Sequence, residues 1–557
     1  MSSKFLPALL VSFAAIFFMS SCSKKSNTQG RYIPSNAAIV LHVNAGSLLE
    51  KLPWEEVKQN DLFIKLYADT SLSSFVKSAM DNPENTGIDT KKDLIFFMVK
   101  DSTGGYLAFE GTVKDAAKFK TYNTAALKNA TASEKNGIQF LVSERTTVTW
   151  DKDKFIVIAD APEVSRINDL DKIMKDDSVK IALPKMASTR DGIATATLLY
   201  SLAEDNSMAE NEKFSELVNT KGDMHFWVNS EAIYQGTPNT PGMAALGMLN
   251  ISKLYQGSYA TGTVQFENGK IDVALKSYAG KEMTDLIKKY SGTKINSEMV
   301  KRLPAKDVAV FLAMNFKPEG IKEFAKLIGI DGLVNMGAAQ FGFNLDDFVK
   351  ANKGDIVFSI SDIVKDTSGK TNAAVLFAAS KGDKASFDKL VAAGKKFGGG
   401  KSGTGAPNFY FNQDDKYFSI GTKKEYIDQF VAKEGDSKFD FFDKISSGPI
   451  GGYVNLQYIM ASLRDQASKD SLGLAALDAS LKVWDNIIMN GGEFKNGGIT
   501  QHFEINLVDK TTNSLKQLNK YARVMANIVR QKEKQESNVD TRLHGDTNLV
   551  RSPLPVQ

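Results

Sequence analysis

Apolar and polar positions along this chain fall into short blocks whose period switches back and forth between two and about 3.6. The stretch Ala37-Ala38-Ile39-Val40-Leu41-His42-Val43-Asn44 reads as a strand. Helical patterns follow over Ser47 to Gln59, where Pro53 interrupts, and over Leu62 to Met80. Asp93 to Lys100 and Tyr106 to Thr112 read as partner strands, and Asp115 to Ala130 as the helix after them. Asn268-Gly269 and Asn496-Gly497 are tight-turn dipeptides of the kind that joins antiparallel neighbours. A parallel doubly wound sheet would need strict strand-helix alternation, which this pattern lacks. The expected fold is therefore α+β, with mainly antiparallel sheet covered by helices.

The blocks recur. Val99-Lys100-Asp101-Ser102-Thr103-Gly104 returns as Val364-Lys365-Asp366-Thr367-Ser368-Gly369, and its flanks return in the same order. Ile33-Pro34 with Asn44 is echoed by Leu303-Pro304 with Asn315, and the helix of Phe119 by that of Phe387. Asp151 to Ile158 is echoed by Gln413 to Ile420, Trp227-Val228-Asn229 by Tyr453-Val454-Asn455, and Asn268-Gly269 by Asn496-Gly497. Landmarks in one order at a slowly drifting offset indicate two tandem duplicated lobes. The first, 31–290, carries extra residues around Asp176 to Asn219 and Met243 to Leu249, and is closed by a helix over Lys281 to Tyr290. The second, 291–536, ends in a helix from Thr512 to Glu536 whose stripe of Leu515, Leu518, Tyr521, Val524, Met525, Ile528 and Val529 is expected to dock on that lobe. Residues 537–557 are polar with two prolines and are expected to be disordered.

The N-terminus departs from this alternation. Lys4 precedes an apolar run from Phe5 to Met19, then Ser20, Ser21 and Cys22, the only cysteine in the chain. A basic start, an apolar stretch and a small-residue site make a secretory signal over 1–21. A cysteine directly after the small residues is what lipid attachment as a thioether requires, although Met19 stands where a branched aliphatic residue is usual. Cys22 is thus the expected lipid attachment point, with Ser20 and Ser21 as the cleavage-site flank and 22–30 as a flexible tether. Acyl chains at about 0.8 kcal/mol per buried methylene hold a protein on a membrane. A lone cysteine leaves no disulfide within the chain.

Charge narrows the partners. With 69 basic and 65 acidic residues among 557, the chain lacks the basic excess of a nucleic-acid binder. The expected partners are the membrane, through the lipid, and an envelope protein.

Candidate chemistry reduces to structure. Gly398-Gly399-Gly400-Lys401-Ser402 ends like a phosphate-binding loop, but Lys395 replaces the required glycine and the loop follows a helix. His42, His225, His502 and His544 lie far apart without zinc-site spacing, and no Gly-x-Ser-x-Gly elbow marks a nucleophile. Asp151/Asp153 and Asp414/Asp415 fall at equivalent hairpin tips, where aspartate caps the turn. Asn44, Asn229, Asn315 and Asn455 stand at strand-to-helix junctions as expected N-caps. No catalytic residue, metal site or cofactor is expected.

Together the lipid-attachment site, Ile33-Pro34-x-x-Ala37, the strand ending Val43-Asn44, Gly87-Ile88-Asp89 and the closing Asn-Gly hairpin resemble a Bacteroidetes lipoprotein family described only as domain of unknown function 4836. That resemblance spans nearly the whole mature chain. It implies a cell-envelope lipoprotein of unassigned activity and supplies no catalytic residues. Surface-exported lipoproteins of such bacteria carry acidic residues after the cysteine; Lys24-Lys25 here favours a periplasm-facing anchor. The expected function is a non-enzymatic binding or scaffolding module, with an envelope hydrolase whose non-contiguous site lies between the lobes as the alternative.

Overall fold

The computed structural model describes residues 28–68, 73–101, 104–127, 129–161, 190–234, 250–365, 371–398, 409–432 and 438–545. The first strands are β1 (Ile39–Val43), β2 (Leu94–Val99), β3 (Tyr106–Thr112), β4 (Thr131–Lys135), β5 (Ile138–Ser143) and β6 (Thr146–Trp150). Next come β7 (Lys154–Asp160), β8 (Met224–Asn229), β9 (Tyr259–Glu267), β10 (Lys270–Tyr278), β11 (Val308–Asn315) and β12 (Asn352–Lys365). The last are β13 (Thr371–Lys381), β14 (Tyr410–Gln413), β15 (Tyr417–Gly421), β16 (Ile450–Asn455), β17 (Trp484–Lys495) and β18 (Gly498–Leu507).

All pair antiparallel in one continuous sheet, in the order β4-β5-β6-β7-β3-β2-β1-β8-β9-β10-β18-β17-β16-β11-β12-β13-β15-β14. The fold is α+β. Instead of a separate sheet in each expected lobe, β10 and β18 join edge to edge, which satisfies the backbone groups that two open edges would leave unpaired. Outward from that seam the connectivity matches strand for strand: β10, β9, β8, β1, β2, β3, β7, β6 on one side and β18, β17, β16, β11, β12, β13, β15, β14 on the other. At the seam, Ala274 pairs with His502. Each lies five residues beyond the glycine of its Asn-Gly turn, Gly269 or Gly497, so the local two-fold of the antiparallel pair passes between them.

Two cores lie on one face of the sheet, on either side of the seam. Val40, Phe97, Trp227 and Ile156 are packed under Ile33, Leu199, Met208, Phe214 and Leu217. Phe311, Val357, Leu376 and Ala378 are packed under Met299, Leu303, Ile427, Phe430 and Ile445. Between the cores, the same face of β9, β10, β18 and β17 carries Thr261, Thr263, Lys276, His502 and Asn490 among its residues.

The helices used below are α1 (Trp54–Lys58), α2 (Asp61–Ala68), α3 (Glu212–Asn219), α4 (Lys281–Tyr290), α5 (Glu319–Ile328) and α6 (Ser514–Gly545). α4 occupies the expected span, and its partner is α5: Lys317 N–H donates to Tyr290 O at 3.2 Å, and its Nζ to Lys289 O at 2.9 Å. α6 does more than the expected docking on its own lobe. Ser480 and Tyr521 hydroxyls meet at 2.9 Å there. Across the molecule, Lys516 Nζ donates to Glu56 Oε1 at 2.7 Å and Asn527 Nδ2 to Asp61 Oδ2 at 2.6 Å. Each closing helix thus packs on the early helices of the opposite half. α6 also continues to Gly545, into the expected disordered tail, because no proline or glycine interrupts Ser537 to His544. Residues 546–557 lie outside the described residues.

The junction asparagines behave as expected with one exception. Asn44, Asn229 and Asn455 accept from the backbone N–H groups of Ser47, Ala232 and Tyr458 at 3.0, 3.1 and 3.0 Å. Asn315 does not cap a helix. Its Oδ1 accepts from Thr293 N–H at 2.9 Å and its Nδ2 donates to Asp355 Oδ1 at 2.7 Å, because Lys317-Pro318 delays the helix start to Glu319. Among the described residues no helix is long and apolar enough to cross a membrane.

Candidate functional site

Register pairing lines up one row of residues across the middle of the sheet: His42, His225, Thr263, Ala274, His502, Asn490, Gly451 and Ala313. Directly opposed residues share a face, so three of the four histidines point to the side that carries the two cores. The row falls into a buried pair at one end and an open groove at the seam. His544 lies near the end of α6, away from this row in sequence.

His42 and His225 are buried, with their Nδ1 atoms 2.9 Å apart. His225 Nε2 lies 2.8 Å from Thr220 O, an oxygen that only accepts, so the ring is protonated there and its Nδ1 accepts from His42. His42 Nε2 then faces Asp93 Oδ2 at 3.3 Å, and Gln29 Nε2 donates to the same carboxylate oxygen at 2.6 Å. Burial holds the His225 imidazole below its ordinary range, while contact with the His42 ring, aided by the Gln29 amide, holds the Asp93 carboxyl below its own. Beside the pair, buried Asp223 accepts from Ser47 Oγ at 2.6 Å, Phe266 N–H at 2.6 Å and Lys51 Nζ at 2.6 Å. These bonds tie the helix after β1 to β8 and β9.

At the seam the face opens into a groove of about 250 Å³. Its floor is Thr261, Thr263, Ala274, Lys276, Thr500, His502 and Asn490, and one wall is Lys213, Glu216 and Leu217 of α3 with Thr220 just after it. Strands from both sides of the seam therefore line it. Lys213 Nζ and Glu216 Oε2 lie 2.9 Å apart, and their hydrogen bond raises the ammonium pKa and lowers the carboxyl. Lys276 adds a cation 5.1 Å from the Tyr278 ring centre.

Beyond the groove, on the same face, the opposite charge collects. Asp272 and Glu504 are direct register partners on β10 and β18, and His502 Nε2 is 2.8 Å from Asp272 Oδ2. Lys270 Nζ sits among them, 3.5 Å from Asp272, 3.6 Å from Glu504 and 3.4 Å from Glu267. The junction thus carries two charged groups: Lys213 and Lys276 share Glu216 on one side, and Glu267, Asp272 and Glu504 surround Lys270 on the other.

Sequence reasoning placed neither grouping. His502-x-Glu504 could have signalled two polar side chains on one strand face, but Asp272 lies 230 positions away and only strand register brings it there. The other candidates fall as expected or outside view. Asp151 Oδ1 accepts from Asp153 and Lys154 N–H, and Asp414 Oδ1 from Lys416 and Tyr417 N–H, as turn caps. Ser20, Ser21 and Cys22 lie outside the described residues, as does the 399–402 loop.

In comparison with known proteins, the profile of the family described as "Domain of unknown function (DUF4836)" matches residues 30–427. No curated protein matches the chain. Among solved structures, crystal form IV of TP0453 is similar at 10% identity, with a TM-score of 0.25, over 46% of this chain and 82% of that one. Crystal form III of TP0453 gives 11% identity, a TM-score of 0.25, and 48% and 87% coverage. A TM-score of 0.25 is too low to carry an argument about fold or function.

Proposed function

From the premise that the chain belongs to the DUF4836 family, which has no assigned activity, we propose that it is a lipid-anchored, periplasm-facing envelope protein that binds a ligand in its central groove. On this reading the body is two tandem α+β lobes, 31–290 and 291–536, derived from one duplicated unit and fused through β10 and β18. Support comes from the strand-for-strand connectivity and from the pairing of Ala274 with His502. Cys22, after the signal 1–21, is the lipid attachment point, and 22–30 is the leash. An envelope protein or a soluble envelope ligand is the proposed occupant.

The observation that carries this reading is that side chains from both sides of the seam converge on one groove beside a group of charged side chains on the seam. The hydrolase alternative draws on the same convergence. Binding is favoured because the shifted groups on the groove wall, Lys213 and Glu216, perturb one another as an exposed ion pair does. Neither is poised for proton transfer.

The test combines anchoring with position-specific crosslinking in cells. Cys22→Ala should move a folded body into the soluble fraction; persistence in salt-washed membranes would remove the anchor. A photoreactive side chain at Thr263 or Thr500 should give a defined adduct that the same probe at exposed Lys120 does not. Matching patterns from all three positions would overturn the groove as the binding site.

A further inference from the structure

We propose that Asp272, His502 and Glu504 form a three-ligand site for a divalent transition-metal ion of the zinc class, built across the β10–β18 seam. One ligand atom from each residue lies within 4.8 Å of the other two. An imidazole nitrogen with two carboxylate oxygens is a donor set that suits zinc, which takes such ligands at about 2.0–2.2 Å and in open sites keeps a fourth position for water or a ligand. Tetrahedral geometry at those lengths separates ligand atoms by about 3.3 Å. The His502–Asp272 contact of 2.8 Å needs to open by only about half an ångström.

Two further observations favour an ion. Asp272 and Glu504 face each other directly across the strand pair, an arrangement of like charges that costs stability unless a cation lies between them. Lys270 partly fills that role, yet it is one ammonium among three carboxylates, Glu267, Asp272 and Glu504. Its flexible stem lets it swing out when a divalent ion arrives. The fold also makes no demand for these residues. The positions related to Asp272, His502 and Glu504 by the two-fold at the seam are Thr500, Ala274 and Lys276, so the same backbone forms with none of the three ligands. The side chains are 24%, 32% and 26% exposed for Asp272, His502 and Glu504, which leaves an ion a route in from solvent.

The site stands whether or not the groove binds a larger ligand, although His502 borders both. The experiment is titration of the purified full-length chain, carrying Cys22→Ser so that no thiol competes, with Zn²⁺ alone by calorimetry. Co²⁺ then serves as a spectroscopic substitute. One saturable equivalent is expected, with the visible absorption of a low-symmetry four-coordinate Co²⁺ complex. His502→Ala or Glu504→Gln should weaken it by about tenfold or more. Lys270→Met should tighten binding several-fold, a gain that misfolding cannot mimic, and His42→Gln should leave it unchanged. Absence of a saturable equivalent overturns the proposal. So does binding that survives His502→Ala, which would mark an adventitious ion.

Discussion

Asn60 and Asn519, 459 positions apart, are joined by two hydrogen bonds: Asn60 Nδ2 donates to Asn519 O at 2.9 Å and to its Oδ1 at 2.8 Å. Asn60 is buried, and its Oδ1 accepts from Leu62 N–H at 2.9 Å, which starts α2. Asn60→Ala should therefore cost about 1–3 kcal/mol, the range for stranding a buried partner. Hydrogen exchange should speed up in α1 and α2 together with the first turns of α6. Faster exchange confined to α2 would mean that the two asparagines do not couple the halves.

Glu110 lies inside the first core, opposite Ile95 and Ile156, with both carboxyl oxygens unpartnered. Burial pushes its pKa up from 4.5 to about 7, against a small opposing pull from Lys154; Tyr32 and Tyr200 are its other titratable neighbours. An acid whose folded pKa is raised costs nothing below its unfolded value and progressively more as pH climbs toward the folded value. Stability should thus fall by about 3 kcal/mol between pH 4.5 and 7 from this group. Glu110→Gln should raise the melting temperature near pH 7 and flatten that slope. A variant with an unchanged slope would place the ionisation elsewhere.

The histidine pair acts in the opposite direction. His225 is held neutral by burial, with Asp93, Asp223 and His42 as the ionisable groups around it. Below 6.5 the unfolded chain takes up a proton that the folded ring resists, so this group removes stability as pH falls. Melting curves of wild type and His225→Gln between pH 7 and 5 should converge toward acid. Parallel curves would exclude the pair as an acid-labile element.

Arg302, buried on the other side, crosses the Tyr417 ring at 4.3 Å and reaches Asp414 at 3.4 Å and Glu298 at 3.1 Å. Arg302→Lys keeps the charge and loses the planar fork, so a loss of about 1–2 kcal/mol is expected by chemical denaturation. A change below about 0.5 kcal/mol, the level of an ordinary surface substitution, would show the contacts to be incidental.

Much of this architecture was legible in the pattern of the chain. The strand pair β2 and β3, the caps at Asn44, Asn229 and Asn455, and the limits of α4 follow from local periodicity and side-chain chemistry. What pattern could not carry is register and docking partner. Nothing in Lys270 to Tyr278 or Gly498 to Leu507 says that these strands seek each other, because an edge strand and a paired one can share a sequence. The apolar stripe of α6 pointed to its own half, whereas Lys516, Asn519 and Asn527, outside that stripe, reach Glu56, Asn60 and Asp61. The His42–His225 contact was invisible for the same reason. Alternation assigns each side chain to a face, and only the strand pairing shows that the two faces are one.

The reach of α6 across the molecule also bears on the order of folding. Asn60 and Asp61 find their partners only when residues near 519–530 have been made, so the earliest helices stay uncovered while nearly all of the intervening chain is synthesised. Contacts of such long sequence separation form late and slowly. A chain whose first helices are covered only by its last long one reaches its closed state once its synthesis is nearly complete.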